Sequence, residues 1–545
     1  TAAQQRIAAE NYAVVSGHPE ATSVGLQVLR DGGNVVDAAI ATSFALGVAE
    51  PYGSGLGGKL IMLYRDAATG EVHSIVALCK SPAALPEQEF VTLSSKVRKY
   101  SYRAVGVPGL VAGLSDAHAR WGSKAWSELV EPAAQLADRG VTIDETMRGM
   151  FQPKVEYLRQ NEVAASLYLV DGEAPEVGTV MKNADLAGSL REIAAGGAAA
   201  FYEGSIAKQI VADSQANGGW LSLDDFRNYQ AEYGEPLAID YRGCRIYSCP
   251  PPLTGGVTVL AALKCFECMQ PQPSPLGYLR FTDDICRSLQ CLYPTIRDTI
   301  ADVATASSAA QELIGPDNAA TLARRAHHLN PRDPQQDPQR RPRIETTSEG
   351  LPAASTSHLL VVDRAGNMVS LTQSLSLHFG ASVIAPGTGI LLNDSMSNFA
   401  THHPEAVNYS GAGKRARSTI APIIATKAGK PWLALGIPGG QRIPTTTLQL
   451  LWRLIDDEAT LYDAFAASRF HLLRPLRFDA AENVIQHEAD ASAYWAQQLR
   501  SRGWKLQSRA RDGHYFGGGG AAQYAADGTI VGVADPRRTN FAAGD

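Results

Sequence analysis

Residues Ser355 to Asp363, with the sequence STSHLLVVD, join a polar stretch of the chain to an apolar run of strand length. From about 330 to 355 the chain is Pro, Arg, Gln and Asp with almost nothing apolar. Such a stretch cannot bury enough surface to offset the entropy of ordering it, so we expect a mobile linker there. If the bond between Ser355 and Thr356 were cut, Thr356 would begin a core strand with a free α-amine.

An N-terminal threonine carries a nucleophile and its base on one residue. The hydroxyl attacks a carbonyl while the α-amine, with a pKa of about 7.7–8.0, takes the proton directly or through water. The hydroxyl of Thr356 can also attack the preceding carbonyl of Ser355 and cut the chain by an N-to-O acyl shift. A threonine after a linker is more often an ordinary strand residue, so this pattern alone favours catalysis only weakly.

The composition of the chain is that of an ordinary globular protein. It has 545 residues, of which 45% are hydrophobic and 19% charged, with a net charge of -6. This length suits two or three average domains or one large sandwich. The acidic balance argues against a nucleic-acid partner, and no apolar stretch reaches the roughly 18 residues of a membrane span. We therefore expect neither nucleic acid nor membrane as a partner. Separately, the partner that we predict is a small-molecule substrate.

Seven cysteines are scattered through the first 291 residues. Their scatter favours a reducing cytoplasm, although no signal peptide decides this and a periplasmic or secreted protein stays open. Cys265-x-x-Cys268 could form half of a zinc site with Cys244 and Cys249. However, its surroundings are typical of a helix and the Cys244/Cys249 spacing does not fit a zinc knuckle, so we favour core cysteines.

Other motifs that could bind a cofactor or a metal lack the neighbouring residues or elements that such sites require. Gly53-x-Gly55-x-x-Gly58 formally matches the dinucleotide fingerprint, but a helix precedes it and a strand follows, the reverse of what that motif needs. Two histidine pairs have no acidic or thiol partner at ligand spacing and read as loop residues: His327-His328 and His402-His403. The sequence therefore predicts no cofactor and no metal.

The remaining patterns fall into helix-rich and strand-rich blocks. Two helices are predicted between Thr22 and Glu50, the second capped by Asn34, and another from Val105 to Gly140. A strand is predicted from Tyr241 to Cys249. Beyond the linker, apolar runs joined by short turns (RAGN, KAGK, ADG) predict hairpins. Antiparallel sheets covered by helices, an α+β layering, are the expected fold class.

The sequence resembles the γ-glutamyltransferases, which are N-terminal-nucleophile (Ntn) hydrolases made as self-cleaving precursors. The resemblance runs along almost the whole chain. It is carried by GGNVVDAAIATSFALGVAEPYGSGLGG, VPGLVAGL, PPPLTGG, TSHLLVVDRAGNMVSLTQS, GTGILLNDSMSNF, RSTIAPII, GIPGGQRI and GVADPR. It implies a four-layer αββα sandwich built as one domain from a large subunit, 1–355, and a small subunit, 356–545, of the same precursor.

The resemblance also implies roles for single residues. Thr356 would be nucleophile and base, and Ser374 stands where the family has a hydroxyl that hydrogen-bonds the nucleophile. Gly439 and Gly440 fall on the oxyanion-hole glycines, whose backbone N–H groups face the developing negative charge. Two further hydroxyl residues match the pair that holds the substrate's α-carboxylate: Ser418 and Thr419.

The substrate-binding positions depart from the family pattern. The arginine that holds the glutamyl α-carboxylate falls on Leu78; Lys80 is nearby but, as a point charge, does not replace a bidentate guanidinium. Ser376, Ser395 and Asn398 stand where the family has groups that bind the α-ammonium. Losing a buried charged partner typically costs about 3–5 kcal/mol, so a γ-glutamyl acyl group is not expected.

The predicted function is an autoprocessed Ntn hydrolase or acyltransferase in which Thr356 attacks an amide-type carbonyl through an acyl-enzyme. One alternative is a C–C bond-cleaving homologue that removes an oxalyl-type side chain in lincomycin- or pyrrolobenzodiazepine-type antibiotic biosynthesis. Another is an uncleaved, non-catalytic binding protein.

Overall fold

The computed structural model describes residues 5–269, 277–331, 354–473, 483–511 and 515–545. Most of the stretch from about 330 to 355, predicted as a mobile linker, lies outside these residues. In the described ranges no helix combines the length and apolar character needed to cross a membrane.

The strands form two large sheets and two small ones. Before the linker they are β1 (Arg6–Ala9), β2 (Tyr12–Ser16), β3 (Lys59–Arg65), β4 (Val72–Ala77), β5 (Val141–Thr142), β6 (Val180–Met181), β7 (Glu232–Gly234), β8 (Leu237–Tyr241) and β9 (Cys244–Ser248). After it they are β10 (Ala354–Asp363), β11 (Met368–Leu377), β12 (Ile423–Lys427), β13 (Lys430–Gly436), β14 (Phe470–Leu472), β15 (Val484–Glu488), β16 (Lys505–Arg509), β17 (Gly520–Tyr524), β18 (Ile530–Ala534) and β19 (Phe541–Gly544).

The helices are concentrated before the linker. The first group is α1 (Pro19–Arg30), α2 (Val35–Ala49), α3 (Glu87–Thr92), α4 (Leu110–Trp121), α5 (Trp126–Arg139), α6 (Glu145–Phe151), α7 (Val155–Leu158), α8 (Glu162–Tyr168), α9 (Ala184–Tyr202), α10 (Ser205–Ala216) and α11 (Leu223–Arg227). The second is α12 (Thr254–Cys268), α13 (Gly277–Thr299), α14 (Ala306–Ile314), α15 (Pro316–His328), α16 (Ile443–Ile455), α17 (Leu461–Ala466) and α18 (Ala493–Ser501). Short 3-10 turns cover Tyr102–Ala104, Gln152–Lys154, Ser395–Asn398 and Gly440–Arg442.

Each large sheet has seven antiparallel strands. Sheet I runs in the order β19-β2-β10-β11-β3-β4-β7, and sheet II in the order β1-β18-β17-β13-β12-β9-β8. The hairpin of β10 and β11 stands in the middle of sheet I, between β2 and β3. Both sheets therefore combine strands from before and after the linker, so the two predicted subunits share one core.

The sheets pack face to face and helices cover their outer faces. Side chains of both sheets, among them Val15 and Leu360 of sheet I and Ala434 of sheet II, form the apolar layer between them. A second core joins sheet I to α1, α2, α4, α5 and α9, and a third joins sheet II to α12, α13, α15 and α16. The architecture is the predicted αββα sandwich.

Most predicted elements are confirmed. The two helices between Thr22 and Glu50 are α1 and α2, and the Asn34 side chain caps α2 by accepting the backbone N–H groups of Val36 and Asp37. The hairpins β10–β11, β12–β13 and β17–β18 have the predicted turns. Because α2 lies between β10 on one side and α1 and α5 on the other, it is apolar all round rather than amphipathic.

Three details differ from the sequence predictions. The helix predicted over Val105 to Gly140 is two helices, α4 and α5, because the backbone adopts an extended conformation at Gly122 and ends α4 there. The strand predicted from Tyr241 to Cys249 is confirmed as β9, but it begins only at Cys244: Tyr241 ends β8, and Arg242 and Gly243 take the positive φ angles, 49° and 79°, of the tight turn between β8 and β9. None of the seven cysteines, all of which lie in the described residues, forms a disulfide; six are buried as expected, but Cys268 is exposed at the end of α12.

Candidate active site

Thr356 and Ser374 lie opposite each other near the end of the β10–β11 hairpin. The register of the two strands shifts between Ser355 and Ser357, so Thr356 stands at a β-bulge and is not part of the regular ladder. A bulge re-aims the side chain it carries. The Thr356 hydroxyl lies 3.3 Å from the Ser374 hydroxyl, and Ser374 Oγ accepts the backbone N–H of Ser376 at 2.9 Å. Thr356 and Ser374 are both buried.

These two hydroxyls are on the face of sheet I that meets sheet II. Along β11, Ser370 donates its hydroxyl to the Leu435 carbonyl of sheet II at 3.1 Å, and strand alternation puts Ser374 on the same face. Along β10, the ring of His358 packs so closely against Gly436 of sheet II that a Cβ there would lie 2.0 Å from it. The site therefore lies at the edge of the layer between the sheets.

A series of hydrogen bonds between buried side chains fixes the opposite face of this hairpin. The Ser54 hydroxyl donates to Ser357 Oγ at 2.9 Å and accepts from Gln373 Nε2 at 2.8 Å. Gln373 also accepts the hydroxyl of Ser43, which belongs to the buried helix α2. Because these polar groups are buried and mutually satisfied, they hold the end of β10 rigidly against α2.

Gly439 and Gly440 form the turn that precedes α16. Their φ angles are 145° and 59°, and the 3-10 turn Gly440–Arg442 contacts β10. The Thr419 hydroxyl donates to the Gly440 carbonyl at 2.9 Å, which holds the turn from outside. Within the described ranges, no acceptor is hydrogen-bonded to the backbone N–H of either glycine. Two N–H groups beside a strand carrying a hydroxyl nucleophile can stabilise an oxyanion.

Arg538 holds the backbone of Thr356 from the other side. Its Nη1 donates to the Thr356 carbonyl at 3.3 Å, and its side chain is buried. Burial lowers the pKa of this guanidinium, while the nearby Tyr52 and Glu50 oppose the shift. The loop that carries Arg538 is held by a buried ion network: Arg537 pairs with Glu488 at 2.5 Å and with Asp535 at 3.4 Å, and Arg469 pairs with Asp535.

A second polar group lies beside Ser374 and centres on Lys59, the first residue of β3. Lys59 pairs with Ser374 across neighbouring strands, and its side chain is 2% exposed. Its Nζ donates to Ser376 Oγ at 2.6 Å and to Ser395 Oγ at 3.3 Å. Asn398 is exposed and its amide reaches Ser376 Oγ at 3.4 Å. The predicted substrate-binding residues Ser376, Ser395 and Asn398 are thus brought together, around a lysine that the sequence analysis did not single out.

Burial governs the titration of the groups around Lys59. Desolvation lowers the pKa of Lys59, while Cys79 and Asp394 oppose that shift. Burial raises the pKa of the Cys79 thiol, opposed by Lys59 and by a hydrogen bond with Ser395. Burial also raises the pKa of Asp394, which accepts the backbone N–H of Leu377 at 2.8 Å. Its second oxygen accepts the Ser397 hydroxyl at 2.8 Å, so both oxygens of the buried Asp394 carboxylate have hydrogen-bond partners other than Lys59.

The other predicted binding residues are placed less directly. Leu78 is buried in the apolar core with sheet II, and Cys79, not Leu78, is the residue of this segment that meets Ser395. Lys80 Nζ lies 5.7 Å from the centre of the Tyr229 ring. Ser418 is half-buried, and its carbonyl accepts the backbone N–H of Thr254 at 2.8 Å. Only Thr419 of the predicted carboxylate pair contacts the Gly439–Gly440 turn.

Metal-type clusters are not found in the part of the chain that the structure describes: no three His, Cys, Asp or Glu side chains come together there as ligands. The chemistry that the described site can perform is that of two hydroxyls, two backbone N–H groups and a buried lysine.

Comparisons with known proteins agree with this arrangement. A family model described as gamma-glutamyltranspeptidase matches residues 21–545. The chain belongs to the gamma-glutamyltranspeptidase family. Its relatives include the glutathione hydrolase proenzyme of Escherichia coli (strain K12), 30% identical over 545 residues that cover 97% of this chain and 91% of that protein.

Acylases of the gamma-glutamyltranspeptidase family are equally similar. The acylase ACY 1 proenzyme of Pseudomonas sp. (strain SE83) is 32% identical over 534 residues, covering 96% of this chain and 91% of that protein. The crystal structure of a cephalosporin acylase from Bacillus halodurans superposes with a TM-score of 0.87 at 26% identity, covering 100% of this chain and 98% of that chain. The chain is therefore a hydrolase or transferase with the Ntn-hydrolase fold.

Two residues of this site were missed by sequence reasoning. Lys59 begins an otherwise apolar strand (KLIMLY), and a charged residue at that position could have drawn attention to it. The sequence does not indicate, however, which strand this one pairs with. Arg538 follows the GVADPR motif, where a second arginine gives no hint that it reaches the Thr356 carbonyl, 182 residues away in the chain.

Proposed function

We propose that this member of the family is made as a precursor, cuts itself between Ser355 and Thr356, and then uses Thr356 as an N-terminal nucleophile on an amide-type carbonyl. The observation that carries the proposal is the buried Thr356 hydroxyl 3.3 Å from the Ser374 hydroxyl, at a bulge beside the Gly439–Gly440 turn. The proenzyme names of the E. coli and Pseudomonas relatives support the processing step.

The reaction then follows from groups that this chain supplies. Thr356 Oγ forms a bond to the substrate carbonyl carbon while the α-amine of Thr356 takes the hydroxyl proton. The N–H groups of Gly439 and Gly440 stabilise the oxyanion, the C–N bond breaks, and the leaving amine receives the proton. Attack by water on the resulting ester releases the acid, and attack by an acceptor amine instead gives acyl transfer. Ser374 orients the nucleophile, and Arg538 fixes its carbonyl.

The acyl group is not expected to be γ-glutamyl. The position of the family's carboxylate-binding arginine is Leu78, whose side chain is in the apolar core. Ser395 and Asn398 offer a hydroxyl and an amide where an anionic partner for the α-ammonium would be needed, and Lys59 adds a positive charge next to them. A cation repels the ammonium of a glutamyl group, so this pocket favours a different acyl end.

The experiment is a denaturing gel with N-terminal sequencing of the purified protein, followed by incubation with acyl p-nitroanilides and with an oxalyl ketone. Cleavage products 1–355 and 356–545, the second beginning Thr-Ser-His, support the proposal, and the Thr356→Ala variant should remain one polypeptide. Release of p-nitroaniline indicates amide cleavage, whereas turnover of the oxalyl ketone alone indicates C–C cleavage. A single uncut polypeptide without turnover indicates the non-catalytic binding protein.

A further inference from the structure

The ammonium of Lys59 is a buried group whose hydrogen bonds go to serine hydroxyls. Its side chain is 2% exposed, and its Nζ hydrogen-bonds Ser376 and Ser395. No carboxylate of the described residues forms an ion pair with it, whereas Arg469 and Arg537, which are about as deeply buried, each have one. A desolvated ammonium that has the Asp394 carboxyl nearby but no direct ion-pair partner is costly, so its site gains free energy when an anion enters.

Lys59 is coupled to the nucleophile through a short series of contacts. Thr356 Oγ1 reaches Ser374 Oγ, Ser374 Oγ accepts the N–H of Ser376, and Ser376 Oγ accepts from Lys59 Nζ. Lys59 and Ser374 are also direct partners in the pairing of β3 and β11, so their side chains are on one face of sheet I. An acyl group attached to Thr356 therefore has its far end within reach of the ammonium.

Asn398 is the residue of the cluster that is exposed. Asn398 is exposed while its amide touches Ser376, whereas Ser376 and Ser395 are themselves buried. Because Asn398 and Lys59 both hydrogen-bond Ser376 Oγ, a ligand that entered past Asn398 would come next to this hydroxyl and the ammonium.

We propose that Lys59 is the specificity residue of the acyl pocket, and that it selects acyl groups that end in a carboxylate and carry no α-amino group. This inference rests on the proposed function, because it assigns the acyl end of the group that Thr356 would carry. In this pocket the ammonium of the protein occupies the place beside Ser376 and Ser395, so a substrate ammonium there would meet a like charge. A carboxylate would instead complete an ion pair and keep both serine hydroxyls as hydrogen-bond partners.

The test compares acyl groups of similar length that differ in charge. Glutaryl-, valeryl- and γ-glutamyl-p-nitroanilide are offered to the wild type, to Lys59→Met and to Lys264→Met. Lys264 is a matched control because it is a partly buried lysine of α12 that pairs with Glu267, away from the cluster. The wild type and Lys264→Met should prefer glutaryl over both other groups by about tenfold or more in kcat/KM. Lys59→Met should lose that preference for glutaryl over valeryl.

A binding measurement gives the answer if turnover is slow. Titration of the purified, processed protein with glutarate, valerate and L-glutamate in a calorimeter should show the same order of affinities. Wild-type protein that binds valerate or L-glutamate as tightly as glutarate would overturn the inference, even if Lys59→Met does not fold. So would a Lys59→Met variant that binds glutarate within twofold of the wild type.

Failure of this inference is distinguishable from failure of the proposed function. Mass spectrometry of the quenched reaction reports whether any acyl group is attached to Thr356. An ester on Thr356 without the predicted ranking of acyl groups would refute the role of Lys59 and leave the nucleophile intact. Processed protein that hydrolyses the substrates while Thr356 stays unmodified, or a Thr356→Ala variant that retains wild-type turnover, would refute the proposed function itself.

Discussion

The hydroxyl of Thr356 lies 3.3 Å from that of Ser374, on the face of sheet I that meets sheet II. Both strands of this hairpin continue into the core: Leu360 and Met368 pack in the layer between the sheets. The pair is therefore positioned by two strands that are buried in the core, at a bulge where Thr356 departs from the ladder. Ser374 fixes the hydroxyl of the nucleophile. No separate histidine base is needed if the α-amine of Thr356 accepts the hydroxyl proton.

Substituting Ser374 tests the orientation of the nucleophile. Ser374→Ala should slow both self-cleavage and turnover by about 10- to 100-fold, because the Thr356 hydroxyl loses its hydrogen-bond partner. Gels of samples quenched at successive times measure the rate of self-cleavage, and initial rates with substrate measure turnover. Ser370→Ala is the matched control: it removes a buried serine hydroxyl of the same face of β11, bonded to the Leu435 carbonyl, and should change neither rate by more than a few-fold. Equal losses in both variants would contradict a role specific to Ser374.

The Gly439–Gly440 turn is predicted to stabilise the oxyanion. Gly439→Ala places a Cβ 3.2 Å from Gly517 Cα at a φ of 145°, which side chains rarely adopt, so the N–H groups should turn away from the site. We expect kcat to fall by about 10²- to 10³-fold with a smaller change in KM. Gly429→Ala also has a positive φ, 76°, but in an open hairpin turn with no atom near its Cβ. It should reduce stability without reducing kcat.

Asn398 offers an independent way to neutralise Lys59. Asn398→Asp should place a carboxylate beside Ser376, whose hydroxyl is 2.6 Å from Lys59 Nζ, and so compete with an anionic acyl end. Glutarate affinity should fall by about tenfold or more, whereas Asn398→Ala, which adds no charge, should retain most of it. Calorimetric titration of both variants decides. Unchanged affinity in Asn398→Asp would show that the anion does not bind at this cluster.

His358 predicts a pH dependence of stability. Complete burial lowers the pKa of His358 from 6.5 to about 3, and in the described residues its Nε2 has no hydrogen-bond partner. Between these two pH values the unfolded chain binds the proton and the folded protein does not, so stability should fall as the pH drops from about 6.5 to 3. The slope from this one group is at most about 1.4 kcal/mol per pH unit.

Thermal unfolding from pH 4 to 8 measures this contribution by comparison of variants. His358→Gln should show a flatter decline of the unfolding midpoint at acidic pH than the wild type. His328→Gln should follow the wild type, because the side chain of His328 is exposed in the folded protein. Identical profiles for all three proteins would mean that the pKa of His358 does not differ between the folded and the unfolded protein.

Local sequence signals predicted the elements that carry the site. Asn34, the hairpin turns and the apolar runs after the linker define their elements through capping, turn geometry and strand length, which are properties of a few neighbouring residues. The motif resemblance then selected Thr356, Ser374 and the Gly439–Gly440 turn, and the structure brings these together. The break at Gly122 and the tight turn at Arg242 were missed because extended or left-handed backbone at a single residue leaves little trace in a hydrophobic pattern.

Long-range pairing explains the remaining omissions. Lys59 acquires its importance only because β3 pairs with β11, 315 positions further along, so that it faces Ser374. Arg538 likewise depends on the ion network of Asp535, Arg537 and Glu488 that fixes its loop. Leu78 was aligned to a binding position, yet its side chain is in the core and Cys79 faces Ser395 instead, since consecutive residues of an extended chain point to opposite sides.

The most direct test of the mechanism is the covalent state of residue 356 in active protein. This state can be determined by N-terminal sequencing and intact mass spectrometry of freshly purified enzyme. Both are carried out before and after brief exposure to a p-nitroanilide that the enzyme hydrolyses. We predict a fragment that begins at Thr356 and that gains the mass of one acyl group on that residue. Full activity from a polypeptide in which Ser355 is still joined to Thr356 would contradict the account.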